Sequence, residues 1–239
     1  MYVFANARNR MWAGSLPVRV PVNTDVCTSQ RQQMVDKHLR LRGIVDERVL
    51  EAMLRVPRHE FALEKFRDQA YEDHPLPISE GQTISQPYIV ALMLEALALS
   101  PRDKILEVGT GSGYVTALLA ELAAEVISIE RHPMLAEQAS QLVARLGYSN
   151  VQVRVGDGSR GVPEFAPYDA IIVSAAAPRL PQDLIEQLAD GGRMIIPVGE
   201  EDSQQLQFIY KKNGRVITRM RELCRFVPLV SDQSYPQKQ

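Results

Sequence analysis

Apolar residues recur along this chain with two different spacings, and the change from one to the other divides it near residue 100. Before that point the spacing is helical. Val49, Leu50, Met53 and Leu54 fall on one side of a helix that Asp46 can cap and Pro57 stops. A helix-forming stretch from about Arg31, interrupted at Gly43, precedes it, and a short helical segment over Phe61 to Phe66 follows. Residues 1–30 show no sustained period and scatter Asn, Gly, Pro and Thr, which predicts an irregular extension. The segment 75–87, PLPISEGQTISQP, has prolines at both ends and Gly81 inside, and it is too polar for a buried strand; it reads as a structured loop. Pro87 is placed to open a helix carrying Ile89, Val90, Leu92, Met93 and Leu97.

From Lys104 short apolar runs alternate with helical stretches. Strands are predicted over Ile105 to Val108, Val126 to Glu130, Val151 to Val155, Tyr168 to Ser174 and Arg193 to Val198. Helices over Tyr114 to Ala123, Pro133 to Leu146 and Pro181 to Ala189 fall between them. Such runs suit strands covered on both faces, as in a mainly parallel sheet. Leu206, Phe208 and Tyr210, then Asn213-Gly214 as a hairpin turn and Val216, add antiparallel strands at one edge. The expected fold class is α/β, a doubly wound, mostly parallel sheet with a helical layer in front. Residues 31–239 read as a single domain, with 31–100 as helical layer and loop and 101–239 as the α/β core and its C-terminal elements.

Composition changes this picture little. A chain of 239 residues can bury one substantial core, and 45% hydrophobic with 23% charged residues is ordinary for a globular protein. A formal net charge of -2 gives no overall drive towards nucleic acid or an anionic membrane, so neither is expected as a partner. No stretch approaches the roughly 20 apolar residues that span a bilayer, and Pro17 and Pro21 stand where a secretory leader would need an unbroken apolar run. Cys27 and Cys224 lie outside any CxxC spacing and read as free thiols in a reducing, cytoplasmic compartment. His38, His59, His74 and His132 have no metal-ligand spacing, so no metal is expected. A monomer is expected.

Chemistry enters with LEVGTGSGY, Leu106 to Tyr114, between a strand and a helix. Glycines at 109, 111 and 113 permit a tight reversal and close approach of a ligand to the backbone. The helix N-terminus beyond them offers free N–H groups. Dinucleotide-binding proteins use much the same turn, but their fingerprint needs glycine where this chain has Tyr114. Glu130 ends the second strand of the core, where an acid can accept from both hydroxyls of a ribose. Asp157, between Gly156 and Gly158, ends the third. Its carboxylate could accept an amino hydrogen and the Gly158 amide could address a ring nitrogen, although an ordinary Asp-Gly turn has the same sequence.

Four further segments carry a more specific likeness. GQTISQP at Gly81 to Pro87, SAAAP at Ser174 to Pro178, GGRMIIPVG at Gly191 to Gly199 and RFVPL at Arg225 to Leu229, taken with the ExGxGxG turn, resemble the protein-L-isoaspartate O-methyltransferases in the same order. The similarity covers almost everything beyond residue 30. It implies a Rossmann-like methyltransferase fold, S-adenosyl-L-methionine as cofactor, and isoaspartyl-containing proteins and peptides as partners. The implied reaction is methyl transfer to the alpha-carboxylate of an L-isoaspartyl residue, a repair step. Around the cofactor it implies Glu107, Gly109, Gly111, Gly113, Glu130, Asp157 and Gly158. Ser85 matches the family's active-site serine, and Gln82, Thr83, Ile84, Ser174, Ala175, Phe226 and Val227 fall on the substrate side. Small Ala175, Ala176 and Ala177 are expected to leave room for a peptide backbone. Where the family often has threonine before AAAP, this chain has Ser174.

Methylating a carboxylate needs no strong base, because a carboxyl with a pKa of about 4 is already ionised at neutral pH. Catalysis is then expected to rest on placement and exclusion of water, with Ser85 orienting the acceptor rather than attacking it. The competing readings are a methyltransferase for a small carboxylate or hydroxyl, a nicotinamide-dependent dehydrogenase, and a noncatalytic cofactor-binding module.

Overall fold

The computed structural model describes residues 25–200 and 203–230. Helix α1 (Asp25–Gln33) runs on through a π-helical turn (Met34–Leu39) and a 3₁₀ turn (Arg40–Arg42) to Gly43, whose φ of 92° ends it. The helix therefore starts inside the stretch expected to be irregular; residues 1–24 of that stretch lie outside the described residues. Periodicity missed only the first residues of α1, Asp25 to Gln30, which are mostly polar. Arg31, buried, donates to the Tyr71 hydroxyl at 3.1 Å and to the Leu54 carbonyl at 2.9 Å.

Helix α2 (Glu47–Arg55) has the expected cap, with the Asp46 carboxylate accepting from the Arg48 and Val49 amides at 2.9 and 3.3 Å. Such a cap contributes about 1 kcal/mol. Phe61 to Phe66 does not form the expected helix. Two 3₁₀ turns, Arg58–Glu60 and Glu64–Gln69, leave Phe61 buried between them, packed edge-on against Tyr114 with ring centroids 5.6 Å apart. The loop at 75–87 carries a small antiparallel ladder, β1 (Leu76–Pro77) with β2 (Thr83–Ile84), and Pro87 opens α3 (Pro87–Leu97).

The core follows as β3 (Lys104–Val108), α4 (Tyr114–Leu122), β4 (Glu125–Glu130), α5 (Pro133–Arg145), β5 (Val151–Val155) and β6 (Tyr168–Val173). Then come α6 (Gln182–Glu186), β7 (Leu188–Glu200), β8 (Ser203–Lys212) and β9 (Arg215–Cys224). One seven-stranded sheet results, in the order β5-β4-β3-β6-β7-β8-β9, parallel as far as β7 and antiparallel beyond it. Helix α6 is shorter than the apolar pattern suggested, because Leu188 already pairs with Tyr168 and draws Gly191 and Gly192 into a long β7.

Alternation along each strand sends side chains to two separate cores. Ile105, Val126 and Ile172 join Leu50, Met53, Leu94 and Leu118 under the helical layer, while Leu106, Ile127, Ile171 and Met194 pack with Leu184 on the opposite face. From β3 the chain moves outward to β4 and β5 and then returns to β6 on the other side. This reversal places the crevice of an open α/β sheet at the carboxyl ends of β3 and β6.

Candidate active site

A cavity of about 800 Å³, counting its open mouth, occupies that crevice. Its floor is the turn after β3, where Gly109, Gly111 and Gly113 have φ values of 93°, 54° and 88°. A side chain on Gly113 would also meet Ala139 of α5 at 3.1 Å, so glycine here permits both the turn and the packing of α4 on α5. Glu130, at the end of β4, braces the turn: one carboxylate oxygen accepts from the Gly111 amide at 2.8 Å and the other from His132 at 2.9 Å. Each oxygen keeps a lone pair for a ligand. Gly158, Val108 and Ile129 complete the wall on this side.

Three residues expected around the cofactor do not line the cavity: Gly113, which packs against α5, and the acids Glu107 and Asp157. Glu107 is fully buried and does not line the cavity. Its Oε2 accepts from Thr116 at 2.6 Å and Ser128 at 2.7 Å, while Oε1 has no hydrogen-bond partner among the described residues. Ser128 in turn bonds Thr110, a residue of the turn, so Glu107 shapes the cavity from beneath. Burial pushes its carboxyl up to about 8, which leaves it mainly neutral at pH 7. Asp157 likewise does not line the cavity. Its carboxylate caps the 3₁₀ turn Gly158–Arg160, accepting from the Ser159 amide at 3.0 Å and hydroxyl at 2.8 Å. It fixes the backbone of Gly158, which does line the wall.

A second groove, about 600 Å³ with its open side, adjoins the first. Thr83, Ser85, Ser174 and Val227 line both, forming the partition between them. Gln82 and Ile84 face the first cavity with Ala175; Phe226 faces only the groove. The structure thus brings the predicted acceptor residues together from three distant segments. Ala176 and Ala177 leave no room for a peptide, contrary to expectation. They are fully packed between the tail and β7, with the Ala176 amide donating to Val227, Leu229 donating back to Ala176 at 2.7 Å, and the Ala177 amide donating to Pro197.

Several supports escaped the sequence reading because nothing local marks them. Gln204, buried on β8, accepts from the Phe226 amide at 2.6 Å and donates to the Phe226 carbonyl at 3.1 Å. Asp73 receives the Tyr88 amide and the Gln86 side chain, so Gln86 is engaged within the fold. Arg131 donates to the Val230 carbonyl at 2.9 Å, tying the tail across the cavity. The His132 ring lies 3.6 Å from the Glu80 carboxylate, tying down the Gly81 loop. Tyr114, awkward for a dinucleotide fold, turns its ring away from the sheet into the helical layer, with its hydroxyl 3.5 Å from the Met53 sulfur. Among the described residues no cluster of three or more potential metal ligands occurs, and no helix is long and apolar enough to cross a membrane.

Residues 29–234 match the family model for protein-L-isoaspartate(D-aspartate) O-methyltransferase. The chain belongs to this family. It is 54% identical over 205 residues to the protein-L-isoaspartate O-methyltransferase of Koribacter versatilis, covering 86% of this chain and 92% of the relative. The corresponding protein of Methanoculleus marisnigri is 53% identical over 209 residues, covering 87% and 95%. Among solved structures, one protein-L-isoaspartate O-methyltransferase superposes with a TM-score of 0.76 at 32% identity over 83% of this chain; the chain spans 65% of that protein's length. A Plasmodium falciparum structure described as a beta-aspartate methyltransferase in complex with S-adenosyl-L-homocysteine superposes with a TM-score of 0.74 at 31% identity, covering 84% of this chain and 98% of the other. These matches share the doubly wound methyltransferase sheet described above.

Proposed function

We propose that this chain methylates the alpha-carboxylate of L-isoaspartyl residues in damaged proteins and peptides, using S-adenosyl-L-methionine. The observation that carries the reading is the shared partition. A nucleoside-sized cavity and a groove open to polypeptide meet at Thr83, Ser85, Ser174 and Val227, so donor and acceptor are separated by single side chains.

The donor cavity fits its cofactor on the features of the floor. Backbone approach is open at Gly109 and Gly111, Glu130 stands at the strand end with accepting capacity, and Gly158 presents a peptide edge above apolar Val108 and Ile129. Bound there, the cofactor supplies a methyl group on a sulfonium. The protein's own task is positioning. The acceptor carboxylate is ionised at neutral pH, so Ser85 donates a hydrogen bond that holds one carboxylate oxygen and leaves the other free. Ser174, across the partition, offers a second hydroxyl. Val227, Pro228 and Leu229 close the cavity with apolar surface, which excludes water that would compete with or misorient the acceptor. Recognition through the misplaced carboxylate and the peptide backbone suits an enzyme that must accept many surrounding sequences. We assign the protein to the cytoplasm as a monomer on the same reading, with Cys27 and Cys224 as unpaired thiols.

The test is incubation with labelled S-adenosyl-L-methionine and matched peptides carrying L-isoaspartate, D-aspartate or L-aspartate at one site. Selective, base-labile labelling of the L-isoaspartyl peptide is expected; equal labelling of all three would reject the substrate. Labelling of small carboxylic acids in preference to any peptide would favour a small-molecule methyltransferase.

A further inference from the structure

Arg58 is a fully buried arginine in a position where the fold alone does not call for a charge. Its Nε donates to the Ala70 carbonyl at 2.8 Å and its Nη2 to the Ser85 carbonyl at 3.0 Å. The guanidinium lies over the Tyr114 ring, 4.7 Å from the centroid. Among the described residues the remaining nitrogen, Nη1, is buried without a hydrogen-bond partner, although the Tyr114 hydroxyl acts on the guanidinium. Among the described residues no carboxylate pairs with this cation. The acid whose field reaches it, Asp73, is committed to Arg42 at 2.6 Å, to the Tyr88 amide at 3.0 Å and to Gln86 at 2.9 Å. Tyr71 and Tyr114, which also face it, are phenols that burial keeps neutral, and His74, the remaining titratable group its field reaches, is no anion. Burial also pulls the guanidinium below its usual range, yet arginine stays protonated at neutral pH.

An unpaired charge is costly to bury, and a neutral side chain of similar length would satisfy the same packing more favourably. What sets this one apart is its neighbours. Ser85 stands in the partition between the two cavities, and Tyr114 lines the donor cavity. The charge, which has no ion pair of its own among the described residues, therefore stands behind Ser85, one residue from the place where an anionic acceptor must sit. Inside a protein, where screening is weak, a charge at that range acts strongly on a ligand.

We propose that Arg58 is a positioning residue for the acceptor, holding the Ser85 backbone in place and supplying the positive charge that favours an anionic group at the junction of the two cavities. This rests on the reading of the acceptor as a carboxylate. A purely structural Arg58 would hold the loop equally for any ligand; a charge-supplying one discriminates between an anion and its neutral isostere.

Two peptides test the difference, one with L-isoaspartate and one with L-isoasparagine, whose carboxamide has nearly the same shape and no charge. Their affinities are measured for the full chain in the presence of S-adenosyl-L-homocysteine. Arg58→Gln, which keeps a donor and loses the charge, should weaken the isoaspartyl peptide about tenfold or more and the isoasparagine peptide by less than about twofold. Arg58→Lys, which keeps the charge and loses the fork, should retain most of the discrimination while weakening both peptides modestly. Equal losses for both peptides in Arg58→Gln, with circular dichroism unchanged, would overturn the charge role. Should Arg58→Gln fail to fold, loss of discrimination in Arg58→Lys overturns it instead, and retention supports it. If the unmodified chain binds both peptides equally, the carboxylate reading itself fails and the inference falls with it.

Discussion

The floor of the donor cavity and the wall of the acceptor groove are made in opposite ways. The floor is local: residues 109–113 turn on positive φ values at the alternate glycines 109, 111 and 113, and Glu130 holds them through a backbone amide. The wall is assembled at long range. Ser85, Ser174 and Phe226 come from three separate segments and are held by Arg58, by the pairing of Ala176 with the tail, and by Gln204. A local turn carries its geometry with it, whereas a wall assembled from distant pieces is only as well placed as its weakest tie. Donor binding and acceptor binding are therefore expected to fail separately under mutation.

The harshest break on the donor side is Gly113→Val. It forces a β-branched residue to a φ of 88° and brings Cβ to 3.1 Å from Ala139, at a combined cost of roughly 3 kcal/mol or more. Calorimetry should show S-adenosyl-L-homocysteine binding weakened about 100-fold, with a lower melting temperature. Glu130→Ala leaves the Gly111 and His132 amides without their acceptor; a loss of about 2 kcal/mol in the same affinity is expected, with little change in the KM for peptide. If peptide KM rises as much as the donor affinity falls, the two halves are not independent. On the acceptor side, Ser85→Ala should lower kcat/KM for an isoaspartyl peptide about tenfold, the value of one hydrogen bond to a charged group. Donor affinity should stay as it was, and unchanged turnover in this variant would remove Ser85 from its role.

The smallest effect on ligand binding concerns Glu107, beneath the floor. Its carboxyl, pushed up to about 8, holds its proton more tightly in the folded chain than in the unfolded one. Its contribution is therefore full below the ordinary carboxylate range and is lost as pH rises from about 4.5 through about 8. Glu107→Gln stays neutral throughout and should gain on the unmodified chain by roughly 3 kcal/mol between pH 5 and pH 8, about 6–12 °C in melting temperature. A melting-temperature difference that does not vary with pH would show that Glu107 is not titrating there.

Much of the donor side was readable from residue order, because strand, glycine turn and helix are contiguous and their apolar spacing is regular. Residue roles were less readable than positions. Glu107 and Asp157 stand at the right strand ends, but the sequence cannot show that one faces Thr116 and Ser128 and the other caps its own turn. The acceptor segments were found by their likeness to a family rather than by period or composition. Arg58 and Gln204 left no mark, since a polar residue between apolar ones looks the same whether it faces water or a distant carbonyl. The start of helix α1 was missed for a related reason: residues 25–30 are mostly polar and show no apolar period.

The tail from Val227 to Val230, paired with Ala176 and tied by Arg131, has a consequence for the order of events during synthesis. A ribosome delivers β3 to β7 first, so the glycine turn and Glu130 can reach their final geometry while the last residues are still in the exit tunnel. The donor cavity then exists with one side open. Closure waits until residue 230 has emerged, because Val227 to Val230 supply the wall that pairs with Ala176 and is held by Arg131.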